Sequence, residues 1–209
     1  CGLWRGLWAH SSPVHAASWC ACFRGSEPGN FLAGAYVRKA MNRLLLLSTL
    51  LLTTAGLANA APPKVTITTP AGLKKEVARH KGKVVVINFW ATWCKPCVAE
   101  FPDLVATHKK LAARGVELIT VSFDATEDLK SKVVPFLTRS GITQGALLNK
   151  DGEVPDVAYF TWLDGKEPDS LAIPRTYTLD KRGKVVARLS GAQSASSFEK
   201  AIQKALQAK

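Results

Sequence analysis

The chain has 209 residues, of which 28 are Lys or Arg and 16 Asp or Glu, for a formal net charge of +12; 47% are apolar and five are cysteine. This length bounds the fold to one domain or two small ones, and with only Cys94 and Cys97 falling after residue 60 the cysteines exclude a disulfide-stapled scaffold. The basic excess is dispersed: residues 61–209 carry 23 basic and 15 acidic residues, net +8, but Lys74-Lys75, Lys109-Lys110 and Lys181-Arg182 fall in separate elements without interleaved aromatic residues to stack bases. That pattern argues against a nucleic-acid partner and for a solvated basic surface, with attraction to acidic partners or anionic lipid headgroups as the alternative.

Residues 1–40 precede the single methionine, Met41, and show neither helical nor strand periodicity, so they are expected to be an over-extended, disordered N-terminus. His10, His15, Cys20 and Cys22 are metal-ligating types, but Cys20-Ala21-Cys22 is closer spaced than the usual zinc pair and no metal site is expected. Residues 41–60 read as a cleaved signal peptide: Met41-Asn42-Arg43 is the basic start, Leu44 to Leu52 the apolar centre, and Ala58-Asn59-Ala60 the small-x-small end. Even from Leu44 to Leu57 the apolar segment is 14 residues, against about 20 for a spanning helix. The folded domain is expected over 61–209, long enough for a core of its own.

Val65 to Thr68 reads as a short strand and Ala71 to His80 as a loop or short helix. Val84 to Ile87, an unbroken β-branched run, predicts a central strand covered on both faces. It leads into Cys94-Lys95-Pro96-Cys97, where Pro96 suits the first turn of a helix because its missing N–H costs nothing there. Cys94 is thereby placed at a helix N-terminus, whose unpaired N–H groups favour thiolate and make it the attacking thiol. Cys97, one turn further in and less exposed, is the resolving thiol. Lys95 adds an exposed, weakly acting cation. Glu100 follows Cys97 by three residues on the same helical face, where burial would raise its pKa and let it exchange a proton with Cys97. Pro102 predicts a kink. Phe101, Leu104, His108 and Leu111 continue one stripe, with His108 a packed helix residue rather than a ligand.

Val116 to Phe123 reads as the next strand, with Asp124 and Thr126 able to cap a helix whose buried face is Val133, Val134, Phe136 and Leu137. Strand, helix and strand with short connections predict parallel pairing through a right-handed crossover. Residues 140–173 are short apolar pieces between glycines; 156–163 suggest a short helix, in which Tyr159, Phe160 and Trp162 cover a core or form part of a substrate surface. Asp180 to Lys184 predicts a hairpin turn with Gly183 at positive φ, and Val185 to Leu189 the return strand. In the last helix Ser196 and Glu199 suggest a capping box, and Phe198, Ile202, Ala205 and Leu206 the buried face.

The segment from Phe89 to Cys97, F-W-A-T-W-C-K-P-C, followed by Glu100-Phe101-Pro102, resembles the active-site segment of the TlpA/ResA/CcmG-like extracytoplasmic branch of the thioredoxin superfamily, related to the AhpC/TSA and Redoxin groups. The resemblance covers roughly residues 65 to 208. It implies an α/β thioredoxin fold, a central mixed β-sheet flanked by helices, with an insertion before a cis-proline loop that falls on Ile173-Pro174. It further implies a periplasmic protein-disulfide reductase in which Cys94, Cys97 and Glu100 are catalytic and Trp93, Ile173 and Pro174 meet substrate. Thioredoxins proper carry a buried Asp where this chain has Asn88, and an amide cannot accept the proton, which leaves that role to Glu100.

By the same resemblance no metal or organic cofactor is needed, the protein is a monomer, its partners are protein disulfides including apocytochrome c, and a membrane electron donor of the DsbD/CcdA type re-reduces it. Two departures weigh against a narrow assignment to cytochrome c maturation: the N-terminal segment looks cleavable rather than anchoring, and Arg175 follows the proline where CcmG-type loops have a glutamate. A DsbA-like dithiol oxidase would use the same machinery. A copper-binding module of the Sco type would need CxxxC and a distal histidine, and none follows His108; a peroxiredoxin would need Thr or Ser where Ala91 stands.

Overall fold

A computed structural model describes residues 62–152 and 157–208. The extension expected over 1–40 and the signal peptide over 41–60 lie outside the described residues. Among the described residues no helix is long and apolar enough to cross a membrane.

Strand β1 is Val65–Thr68 and helix α1 is Pro70–Arg79. The segment left open between loop and helix is thus helical, because Thr69 caps it by accepting from Gly72 N–H (3.3 Å) and Pro70 takes the first position. Strand β2 is Val84–Trp90, every residue buried. Its pleat sends Val84, Val86 and Trp90 to one core and Val85, Ile87 and Phe89 to the other, and this two-sided burial selects its β-branched run. Helix α2, Lys95–Leu111, continues through Pro102, which does not divide it.

Strand β3, Val116–Ser122, pairs parallel to β2. After it the expected cap is not made. A π-helical turn, Leu129–Val133, runs directly into α3, Val134–Ser140, and neither start has a side-chain cap. Asp124 is drawn instead toward the β2–α2 turn, and Thr126 Oγ1 lies 3.2 Å from Glu127 Oε1.

The 140–173 region contributes strand β4, Ala146–Asn149, and helix α4, Val157–Asp164. At Gly145, φ is +68° and a Cβ would stand 2.1 Å from the Leu118 carbonyl oxygen, so the chain can enter β4 against β3 only with glycine there. Tyr159 and Phe160 are fully buried against Phe89, which settles them as core and not as substrate surface. Trp162 is half-buried, with Lys74 Nζ 5.5 Å from its ring centroid.

Strands β5, Arg175–Leu179, and β6, Val185–Ser190, form the predicted hairpin, with Gly183 at φ +84°. Helix α5 is Ala195–Gln207, its apolar face Phe198, Ala201, Ile202 and Ala205. The capping box is corrected: Ser194 stands at the N-cap, Ala195 N–H donates to Asp103 Oδ2 of α2 (3.1 Å), and Glu199 pairs with Lys110 (2.9 Å). Ser196 lies inside the helix because α2 supplies an acceptor one residue past Ser194.

The strand order is β1-β4-β3-β2-β5-β6, with β1, β4, β3 and β2 parallel and β5 and β6 antiparallel to their neighbours. This is the expected mixed sheet flanked by helices. Because β5 runs against β2, the end of β2 and the beginning of β5 meet at one edge of the sheet, and that edge carries the site.

Candidate active site

The β2–α2 turn is fixed before the cysteines are reached. Asp124, fully buried at the end of β3, accepts from Thr92 N–H (3.0 Å), from the Thr92 hydroxyl, and from Ser122 Oγ (2.5 Å). Cys94 N–H then donates to the Ala91 carbonyl (3.2 Å), and Cys94 becomes the N-cap of α2.

The two sulfurs are joined, S–S 2.01 Å with Cα atoms 5.3 Å apart. Cys97 N–H points at Cys94 Sγ (3.3 Å), so the first turn of α2 directs an unpaired donor and its positive dipole end at the outer sulfur, the arrangement that favours thiolate once the pair is reduced. Cys94 is 6% exposed and Cys97 0%, which leaves Cys94 as the sulfur a partner can reach. Trp93 beside it is half exposed, and Lys95 is exposed.

The Ile173–Pro174 peptide is cis, and the Ile173 carbonyl oxygen lies 3.8 Å from Cys94 Sγ. Pro174 is buried and Ile173 partly so. The structure therefore brings Ile173 and Pro174 to the cysteine pair across 79 residues of chain, the pairing of Phe89 with Arg175 setting the register. Beside Trp93 opens a cleft of about 550 Å3, with Val98, Pro135 and Phe136 among its walls and Lys132 and Arg139 at its rim.

Glu100 lies one turn beyond Cys97 in α2 and is 4% exposed. Its carboxylate accepts from Asn88 Nδ2 (3.1 Å) and from Gln193 N–H (2.8 Å). Burial outweighs both bonds and raises its pKa to about 7. Asn88, read from sequence only as a missing acid, is thus a donor that orients Glu100, and its amide also reaches Thr176 Oγ1 (2.9 Å).

Two further residues, Gln193 and Asp124, hold the site in ways that differ from what the sequence suggests. Gln193, in the loop before α5, has no local signal. Asp124 had one: it stands at the carboxyl end of the strand parallel to β2, the edge at which open parallel sheets gather their sites. His108 is not part of the constellation; its Nε2 lies 3.2 Å from the Val116 carbonyl, and burial lowers its pKa. Among the described residues no group of three or more His, Cys, Asp or Glu side chains is arranged to hold a metal ion.

Arg175, directly after the proline, is buried. Its guanidinium donates to the Ser170 carbonyl (2.8 Å), lies 3.6 Å from Asp164 and covers the Phe160 ring at 4.6 Å. It fastens the proline loop to α4.

The model of the AhpC/TSA family matches residues 58–188. A thiol-disulfide oxidoreductase ResA from Bacillus thuringiensis subsp. konkukian is 30% identical over 142 residues, 68% of this chain and 75% of the relative. ResA from Bacillus subtilis is 33% identical over 125 residues, 60% of this chain and 63% of the relative. A solved thiol:disulfide interchange protein of the thioredoxin family from Chlorobium tepidum is 29% identical, with a TM-score of 0.51 over 62% of this chain and 83% of that one.

Proposed function

Because the chain belongs to the AhpC/TSA family, within the TlpA/ResA-like thiol-disulfide oxidoreductases of the thioredoxin superfamily, we propose that it works in the periplasm as a reductase of protein disulfides. The observation that carries this reading is the Cys94–Cys97 pair at the head of α2, facing Ile173-Pro174 above and backed by buried Glu100.

In the reduced protein the Cys94 thiolate attacks one sulfur of a substrate disulfide, forming a mixed disulfide and releasing the other substrate sulfur as thiolate. The Cys97 thiol gives its proton to the Glu100 carboxylate and attacks Cys94 Sγ. That forms the internal disulfide and releases the second substrate thiolate, which takes up the proton. Two electrons pass from the cysteine pair to the substrate. A pKa of about 7 suits Glu100 to both halves of this transfer at neutral pH. Trp93 and the Ile173 carbonyl offer an apolar face and a backbone acceptor to the polypeptide around the attacked disulfide.

Re-reduction needs an external dithiol, which we assign to a membrane carrier of the DsbD/CcdA type; apocytochrome c is one candidate substrate. The protein acts as a monomer, exported by the signal-like pattern over 41–60, with residues 1–40 outside the functional chain.

The test is a covalent trap. Cys97→Ala, expressed in the native host, leaves Cys94 unable to resolve its adducts, and mass spectrometry identifies what it holds. Haem-attachment proteins in the trap would assign cytochrome c maturation, and a varied set of exported proteins general disulfide reduction. No adduct, with Cys94 shown to be reduced, would overturn the exchange mechanism.

A further inference from the structure

The end of the sheet opposite the disulfide carries a second built feature. Gly82 N–H donates to the Lys181 carbonyl (3.0 Å), joining the segment before β2 to the β5–β6 turn, and these loops with α1 and α4 enclose a cleft of about 360 Å3. One wall is the ring of Trp162, and five cations surround it: Lys74, Lys81, Lys83, Lys181 and Arg182. Lys83 is matched by Glu117 (2.5 Å) and Arg182 by Asp180 (3.1 Å). Lys74 is held over the Trp162 ring, and Lys74, Lys81 and Lys181 have no carboxylate partner among the described residues.

The one acid in the lining, Asp180, has its side chain 1% exposed and spends its acceptors on the turn, taking Arg182 N–H and Lys184 N–H at 2.9 Å each. It fixes the turn that presents Lys181, and the one cleft cation it pairs with is Arg182, which leaves Lys74, Lys81 and Lys181 uncompensated by it. Elsewhere the basic residues are spread over the surface; here they converge on a concave site with an aromatic wall, which is how a protein recognises an anion attached to an apolar body.

We propose that this cleft binds a phosphate group carried on an organic molecule, the lysines meeting the phosphate and Trp162 the body to which it is attached. An anionic phospholipid headgroup and a soluble phosphate share that chemistry. A Trp with an apolar body and a polar tip suits a lipid interface. With the seven residues of β2 between them, the cleft and Cys94 stand about 20 Å apart, so the reactive edge stays open when the cleft is filled.

The test compares the full chain with a Lys74→Gln/Lys181→Gln variant and with a charge-matched control, Lys200→Gln/Lys204→Gln on α5. Each is sedimented with phosphatidylcholine vesicles with and without phosphatidylglycerol at physiological ionic strength, and titrated calorimetrically with inorganic phosphate. The expected result is binding that the cleft variant loses by about 30-fold, roughly 1 kcal/mol per lysine near an anionic surface, and that the control keeps. Loss seen on vesicles alone assigns a lipid headgroup; loss seen with inorganic phosphate assigns a soluble phosphate.

Absence of binding to both probes, or equal loss in the control, overturns the proposal. All four lysines are exposed, and none touches the cysteine edge. Reduction of a small soluble disulfide is therefore expected to be unchanged in both variants, which separates failure here from failure of the exchange mechanism.

Discussion

Glu100 titrates near 4.5 as a free side chain and at about 7 in the fold, so between those values the folded protein binds more protons than the unfolded chain. Stability contributed by the neutral acid is therefore lost as pH rises through that window and is flat above it, a change of about 3 kcal/mol. Urea unfolding at pH 5 and pH 8 is expected to show this fall, and Glu100→Gln to remove it. At pH 5, where Glu100 is itself neutral, the variant should stay within about 1 kcal/mol of the parent, because its NH2 replaces the acid's O–H beside Asn88, whose Oδ1 has no other partner among the described residues and can accept from either. Its release step should lose the pH dependence near 7 while Cys94 still forms mixed disulfides.

Asp124 belongs to the same scale. Replacing it with Asn puts an NH2 among groups that donate, which should cost about 2 kcal/mol in unfolding experiments and slow disulfide exchange by loosening the turn under Thr92. Unchanged exchange kinetics would confine Asp124 to a purely structural part. Cys94, Cys97 and Glu100 were legible because their relation is one helical turn of continuous sequence. Gln193 was not, since its meeting with Glu100 spans 93 residues and rests on where α5 docks.

Among the elements, β2 and α2 could be read directly: one is a β-branched run buried on both faces, the other opens on Pro96 and carries a regular apolar stripe. The caps were the weak point. Serines at 194, 196 and 197 all suit a helix start, and the choice among them is made by Asp103 on another helix, which no local rule contains. Helix α4 was obscure because its short apolar sequence lacks a polar face and gains its place by packing Tyr159 and Phe160 onto Phe89 of β2 and Phe123 just past β3.

At its end Asp164 gathers Tyr177 OH (3.1 Å), Arg188 Nε (3.0 Å) and Arg175 (3.6 Å). Asp164→Ala strands the buried Arg175 guanidinium and should cost about 3 kcal/mol. Arg188 is 47% exposed, and Arg188→Ala should cost less than about 1 kcal/mol. Chemical denaturation of the two variants checks the difference. Equal effects would mean that α4 is fastened by its apolar face and not by this carboxylate.

At the scale of the whole domain, the fold divides its work between the two ends of one sheet. The edge where β2 ends and β5 begins holds the thiols, the proline and Glu100; the other end holds the lysine-rimmed cleft. The mixed sheet follows from sequence because a βαβ unit and a hairpin can each be recognised locally. Which strands become neighbours depended on long-range packing, and with it the fact that Ile173 faces Cys94.

That juxtaposition has an order in time. A polypeptide that is synthesised or threaded through a membrane from its N-terminus delivers Cys94 and Cys97 well before Ile173 and Pro174, 79 residues behind. Until β5 arrives to pair with β2, the thiols stand at the end of an unfinished sheet with no carbonyl or proline ring beside them. Their first exposure to oxidants and to other cysteines thus precedes the structure that makes them selective.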